Sequence, residues 1–377
     1  FSLSVQAGTN YTFNGNTITP SLGYTGPLSV PVSVNDGTDN SNVFTFNVNV
    51  TAAATSAENT LEAAGDTCWT TPQEQPLVAS LADPEVSSLA RYILVTDAQK
   101  GTVTITDPLT GVFRYDPDQE GERGVDSFVY QIEDPRNETK TKTAAVIVEE
   151  KIMALGDSIT VGLSDASAQL PVVEQRVGYR KSLYDALFSE GFQVDLVGSQ
   201  QSGTGLVGFD ADHEGHLDWS AEELAYGRIS DGSDGIYAWL QGTPSDVVLL
   251  HAGSYGLMNS ADQIGSILDE IDRWETSANG NPVTVMVARI IDQWPLNPDV
   301  QAFNQAVQAL VEDRINNPDN VAYPDKLIMV DLHAALTYPA DLNDGLHPNA
   351  AGYDKMAQIW LQALTGGIDN DLLQRCP

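Results

Sequence analysis

The chain has 377 residues, 42% of them hydrophobic and 19% charged, so it lies inside the globular range and is too long for one ordinary core. Its 52 acidic against 18 basic residues give a formal charge of −34, which repels polyanions and excludes nucleic acid and anionic membrane surfaces as partners. The sequence holds no apolar run of about 18 residues and so predicts no membrane insertion.

In chain order, Leu28, Val30, Val32 and Val34 alternate with polar or proline positions, as do Phe44, Phe46, Val48 and Val50. Asn35 to Asn42 between them is turn chemistry, so the pair predicts a β-hairpin with one buried face. Residues 1–50 are short for a sandwich and read as a partial β domain. From 51 to 150 the same signals recur at Thr102–Thr106, Val112–Tyr115, Phe128–Ile132 and Ala144–Val148, separated by Asp-Pro and glycine turns. They predict a complete all-β sandwich. Acidic turns at Asp116, Asp118 and Asp134 offer the oxygen ligands that a structural Ca²⁺ takes, although a solvated turn has the same composition.

After Lys151 the pattern changes. Apolar runs at Ile152–Leu155, Val194–Val197, Val247–Leu250, Val283–Val287 and Leu327–Val330 are separated by helical periodicity. Ile264, Ile267, Leu268, Ile271 and Trp274 form one such stripe, and Phe303, Ala306, Val307, Leu310 and Val311 another. Residues 151–377 therefore predict a three-layer, flavodoxin-like α/β domain on a five-stranded parallel sheet, with its site at the carboxyl ends of the strands. The two cysteines, Cys68 and Cys376, are candidates for one long-range disulfide tying the C-terminus to the preceding domain. A start at Phe1 without methionine or leader suggests a piece of a processed, secreted or cell-surface precursor with further modules.

Gly156-Asp157-Ser158 follows the first of these apolar runs directly, which puts Ser158 in a strand-to-helix turn at the active edge. A serine there can simply cap the helix. Asp344-Gly-Leu-His347-Pro follows the last run just before a final helix, at the same edge, and supplies a base and an acid to orient it. Serine needs such a base to become a nucleophile, and a carboxylate that fixes the imidazole completes the logic. The spacing of His213, His216, His251 and His333 supports no metal site.

These blocks, with Val197-Gly-Ser-Gln, Asp212-His-Glu-Gly-His-Leu-Asp-Trp-Ser and Asp246-Val-Val-Leu-Leu-His-Ala-Gly, resemble the SGNH (GDSL) hydrolases, and within them carbohydrate esterase family 3. The β region resembles bacterial Ig-like and cadherin-like repeats. The resemblance implies Ser158 as nucleophile, His347 as general base and Asp344 as its partner, acting on esters, often acetyl groups on polysaccharides. It also implies oxyanion donors at Ser158, at a glycine before Trp219 and at an asparagine after Gly253-Ser254. Here those last two positions hold Asp218 and Tyr255. Gly215 or Gly256 would take a donor role if the alignment shifts slightly. Three outcomes stay open: a rebuilt hole and an esterase, a glycosidase pairing Asp218 with Asp344 or Glu214, or a cleft that only binds glycan. Asp157, Glu214, Trp219 and Trp294 are the candidate substrate-binding residues, and Tyr226, Tyr237, Trp239 and Tyr255 add aromatic surface for a carbohydrate.

Overall fold

The computed structural model describes residues 2–14, 17–20, 26–35, 41–50, 68–117, 123–135, 138–167, 169–255, 260–316, 326–366 and 372–375. The chain divides into two compact units, Phe1–Thr60 and Leu61–Pro377. In the first, β1 (Ser2–Val5), β2 (Tyr11–Asn14), β3 (Thr17–Pro20), β4 (Gly26–Asn35) and β5 (Phe44–Val50) form a sheet ordered β1-β4-β5 and a separate β2–β3 hairpin. The predicted hairpin is the β4–β5 pair, antiparallel with Val30 opposite Phe46. Leu28 and Val30 on its inward face are buried with Tyr11.

The second unit opens with a seven-stranded sandwich: β6 (Cys68–Thr71), β7 (Leu77–Ser80), β8 (Arg91–Thr96), β9 (Gly101–Asp107), β10 (Val112–Pro117), β11 (Gly124–Asp134) and β12 (Glu138–Val148). One sheet runs β7-β10-β9 and the other β6-β12-β11-β8. Period-two alternation places Phe113, Tyr115, Phe128, Tyr130, Ala144 and Val146 on the two inner faces, where they are buried together with Trp69. Asp116 pairs with Arg114, Asp134 accepts the Ser87 N–H, and Asp118 lies outside the described residues. Cys68 is disulfide-bonded; its expected partner Cys376 also lies outside the described residues.

One residue separates β12 from β13 (Glu150–Gly156), the first strand of the α/β region. There follow α1 (Ser158–Val161), α2 (Arg180–Ser189), β14 (Val194–Val197), β15 (Gln200–Gln201), β16 (Asp212–Gly215), α3 (Ala221–Tyr226), α4 (Ile236–Gly242) and β17 (Val247–His251). The region closes with α5 (Ala261–Glu275), β18 (Thr284–Arg289), α6 (Pro298–Asn316), β19 (Lys326–Asp331) and α7 (Ala350–Thr365). The five predicted runs are strands β13, β14, β17, β18 and β19, and all pair in parallel. The sheet is nevertheless seven-stranded and mixed rather than five-stranded and parallel. β14 covers only the first half of one edge of β13; β16 takes over that edge at Leu155 and Gly156, and the short β15 pairs antiparallel to β16. Helices α2 and α7 bury Tyr179, Leu183, Met356 and Trp360 on one face. Helices α3 to α6 bury Leu224, Leu240, Ile267, Trp274 and Val311 on the other.

The sandwich is fixed to the floor of this sheet, at the amino ends of its strands. Asp246, just before β17, is buried, and its carboxylate accepts from Gln73 Nε2 at 2.6 Å, Arg123 at 2.5 Å and the Lys151 N–H at 2.8 Å. Gln73 and Arg123 both belong to the sandwich. Burial and the neighbouring Asp246 push the Glu150 carboxyl up to about 8, with Arg123 acting in the opposite direction.

Candidate active site

The nucleophile turn begins with a steric demand. A side chain on Gly156 would place its Cβ 2.1 Å from the His251 carbonyl oxygen and 2.5 Å from the Thr160 hydroxyl, so only glycine lets β13 pass this close to β17. Asp157 then caps α1. One carboxylate oxygen accepts the Ile159 N–H and the other the Ser254 N–H, both at 3.1 Å. The cap therefore ties the loop after β17 to the turn that carries Ser158.

Ser158 Oγ lies 2.9 Å from His347 Nε2, and His347 Nδ1 lies 2.8 Å from Asp344 Oδ2. Both ends of this relay come from loops at the carboxyl edge of the sheet, 189 residues apart in sequence. His347 is held just ahead of α7, whose first turn Asn349 caps through the Gly352 N–H. Burial alone would raise the Asp344 carboxyl. Main-chain N–H groups of Ala166, His347 and Leu346 and the His347 ring overcome that and hold it at about 2. The carboxylate is thus charged at any working pH, which fixes the tautomer of His347 with its free Nε2 lone pair toward Ser158.

Asp218 lies past the end of β16, whose Gly215 sits against α1. Its φ is +59°, the left-handed conformation in which glycine is at ease and aspartate is tolerated. The side chain is exposed, the carbonyl accepts from Arg228, and no hydrogen bond from its N–H is found among the described residues. Tyr255 is 45% exposed, at the end of a loop whose Gly253 also has positive φ. Gly215 gives its N–H to His213 Nδ1 at 2.9 Å, so it is not a spare donor. Gly256 lies outside the described residues.

A family model described as GDSL-like lipase/acylhydrolase matches residues 152–360, more than half of the chain. The chain belongs to this family. As a GDSL hydrolase, it also carries a stretch, residues 52–147, that matches the bacterial Ig domain. Among relatives, a multidomain esterase of Ruminococcus flavefaciens is 29% identical over 238 residues, which cover 57% of this chain and 28% of that protein. The chain therefore spans under a third of the length of that relative. Two solved structures are also similar. A Clostridium thermocellum family 3 carbohydrate esterase is 29% identical (58% of this chain and 96% of that one, TM-score 0.46). A carbohydrate esterase family 3 protein from Talaromyces cellulolyticus is 26% identical (58% and 97%, TM-score 0.44).

In this GDSL hydrolase the four candidate substrate contacts divide. Asp157 and Glu214 are fully buried. The Asp157 oxygens serve the turn, and Glu214 accepts the Ser199 N–H and hydroxyl at 2.6 and 2.7 Å and pairs with His216 at 2.7 Å. Both face the interior, which corrects their assignment as substrate contacts and leaves neither Glu214 nor Asp344 uncommitted as a second acid beside Asp218. Trp219 is buried as well, stacked on His216. Trp294 alone stays at the surface, 48% exposed, with its N–H on the Gly345 carbonyl at 2.6 Å, inside the loop that carries Asp344 and His347. Of the other aromatics, Trp239 is buried, Tyr237 packs under Arg273, and Tyr226 and Tyr255 are exposed.

Three residues of this neighbourhood were assigned no site role from the sequence. His216 is one, and its signal was spacing: two places after Glu214, it returns to the same side of an extended segment. Asp292 is another, accepting the N–H groups of Gln293 and Asn297 at 2.8 and 3.0 Å and so shaping the loop that presents Trp294. Arg228, which grips the Asp218 carbonyl, gave no signal before the fold brought it there.

Proposed function

We propose that the protein is a secreted or cell-surface carbohydrate esterase that removes acetyl groups from a polysaccharide or oligosaccharide. The observation that carries this reading is the unbroken Ser158–His347–Asp344 relay at 2.9 and 2.8 Å. His347 Nε2 takes the Ser158 proton as Oγ attacks the ester carbonyl, and gives it to the sugar oxygen as the C–O bond breaks, so that the sugar leaves as a free hydroxyl. Water, activated by the same imidazole, then releases acetate from the serine. The developing oxyanion is met by the main-chain N–H groups of Ser158 and Asp218 and by the Tyr255 hydroxyl. Trp294, exposed next to Gly345, offers a face on which a sugar ring stacks. In this reading residues 1–50 are a partial Ig-like domain, 51–150 a complete one and 151–377 the hydrolase, in a protein with further modules.

The test is acetate release from an acetylated xylan and from p-nitrophenyl acetate. Both should be turned over by the protein and lost in Ser158→Ala. New reducing ends, abolished by Asp218→Asn but indifferent to Ser158→Ala, would establish a glycosidase instead. Glycan binding with neither activity would reduce the protein to a binding module.

A further inference from the structure

The residues around His216 form a clamp that no step of the proposed reaction uses. The imidazole packs against two indoles, 4.4 Å from Trp219 and 4.5 Å from Trp239, the second nearly parallel at 13°; the indoles are themselves 5.8 Å apart, so the three rings form a triangular cluster. Its Nε2 meets Glu214 Oε1 at 2.7 Å, and that carboxylate is fully buried and anchored by Ser199. Its main-chain N–H donates to the Gly156 carbonyl at 2.9 Å, two residues before Ser158. On the far side of Asp218, the Arg228 guanidinium lies 4.9 Å over the Trp219 ring, grips the Asp218 carbonyl and is anchored by Glu223 at 2.8 Å. Asp218 is thus fixed from both flanks, by a ring two residues before it and a ring one residue after it.

We infer that the Glu214–His216 pair, packed against Trp219 and Trp239, is a positioning device that sets the Asp218 N–H against the Ser158 oxyanion. A buried carboxylate held by two Ser199 donors does not move, and an imidazole hydrogen-bonded to it and packed against two indoles is held in one orientation. The nucleophile turn and the oxyanion loop are therefore built on one frame, joined at Gly156. Oxyanion donors act only when already aimed at the place where charge develops, so a loop that drifts by about 1 Å loses its effect on the transition state while still admitting substrate.

The inference rests on the esterase reading, and the wild-type protein separates the two: without acetyl-ester turnover the function fails, and with it the clamp can be tested. His216→Ala should lower kcat by about 10²-fold, the loss typical of one oxyanion donor, while KM changes less than about threefold. Glu214→Gln, which keeps the shape and one acceptor oxygen for the Ser199 N–H and can turn its NH2 toward the Ser199 hydroxyl and His216, should retain most of the rate, and Glu214→Ala should follow His216→Ala. If His216→Ala does not fold, Trp239→Phe, which keeps an aromatic face, should still lower kcat about tenfold with KM unchanged. If His216→Ala, Glu214→Ala or Trp239→Phe keeps kcat within about threefold of wild type, or raises KM and leaves kcat alone, the inference is overturned.

Discussion

In the proposed oxyanion hole two loops depart from the pattern that the resemblance implies, and they depart in different ways. At Asp218 the implied donor is a main-chain N–H, and the backbone there is left-handed, so in the proposed hole the substitution adds a side chain without removing the donor. At Tyr255 the family donor is an asparagine side chain, and substitution replaces the functional atoms themselves. A residue whose chemistry lies in the backbone can change identity if the new residue tolerates the dihedral angles. One whose chemistry lies in the side chain can change only to a residue that brings a donor of its own, as the Tyr255 hydroxyl does in the proposed hole.

The comparison can be broken by mutation. The largest effect should come from outside it, as a reference: Asp344→Asn, which unfixes the His347 tautomer, should lower kcat on the order of 10⁴-fold in an acetyl-ester assay. Tyr255→Phe should cost about 10²- to 10³-fold if its hydroxyl is a donor, and Tyr255→Asn should return most of that rate. Asp218→Gly and Asp218→Asn should each stay within about tenfold of wild type, since both keep the N–H in place. A rise of 10²-fold or more in both would show instead that the Asp218 charge opposes the oxyanion.

The smallest effects concern stability and should leave both donors untouched. Glu150, pushed up to about 8 from its ordinary 4.5, binds its proton more tightly folded than unfolded. Its contribution is then full below about pH 4.5 and declines as pH rises toward 8, by at most about 1.4 kcal/mol per pH unit. Melting temperature should fall across that window, and Glu150→Gln should flatten the fall. Asp344 has the opposite sign: its carboxyl is held at about 2, so its contribution is present above the ordinary carboxylate range and lost only as pH falls through 2. An acid limb of activity near neutrality is therefore not its titration.

The triad was legible because each member sits at a junction with its own local signal, a glycine turn after an apolar strand for Ser158 and a capped helix start after another for His347. The five central strands were legible because buried parallel strands are continuously apolar. β16 was not. Asp212-His-Glu-Gly is polar throughout, yet His213, Glu214 and Gly215 are buried, because their partners are Ser202, Ser199 and one another rather than water. Apolar periodicity cannot detect a strand whose interior is a hydrogen-bonded network. The same network misled the assignment of Glu214: a carboxylate in a motif reads as chemistry, whereas its neighbours decide whether it faces substrate or scaffold. For Asp218 the sequence gives identity but not dihedral angle, and the proposed donor role depends on the angle.

Asp246 has a consequence for how such enzymes diversify. A buried carboxylate whose hydrogen-bond donors are removed is costly to keep, commonly by about 3 to 5 kcal/mol. Two of its three donors, Gln73 and Arg123, belong to the preceding sandwich. The Ig-like module is thus no interchangeable bead on a string: recombination that exchanged it for a stranger packed on the same floor would bury this charge without its donors. Lineages carrying this aspartate should inherit the pair as one evolutionary unit.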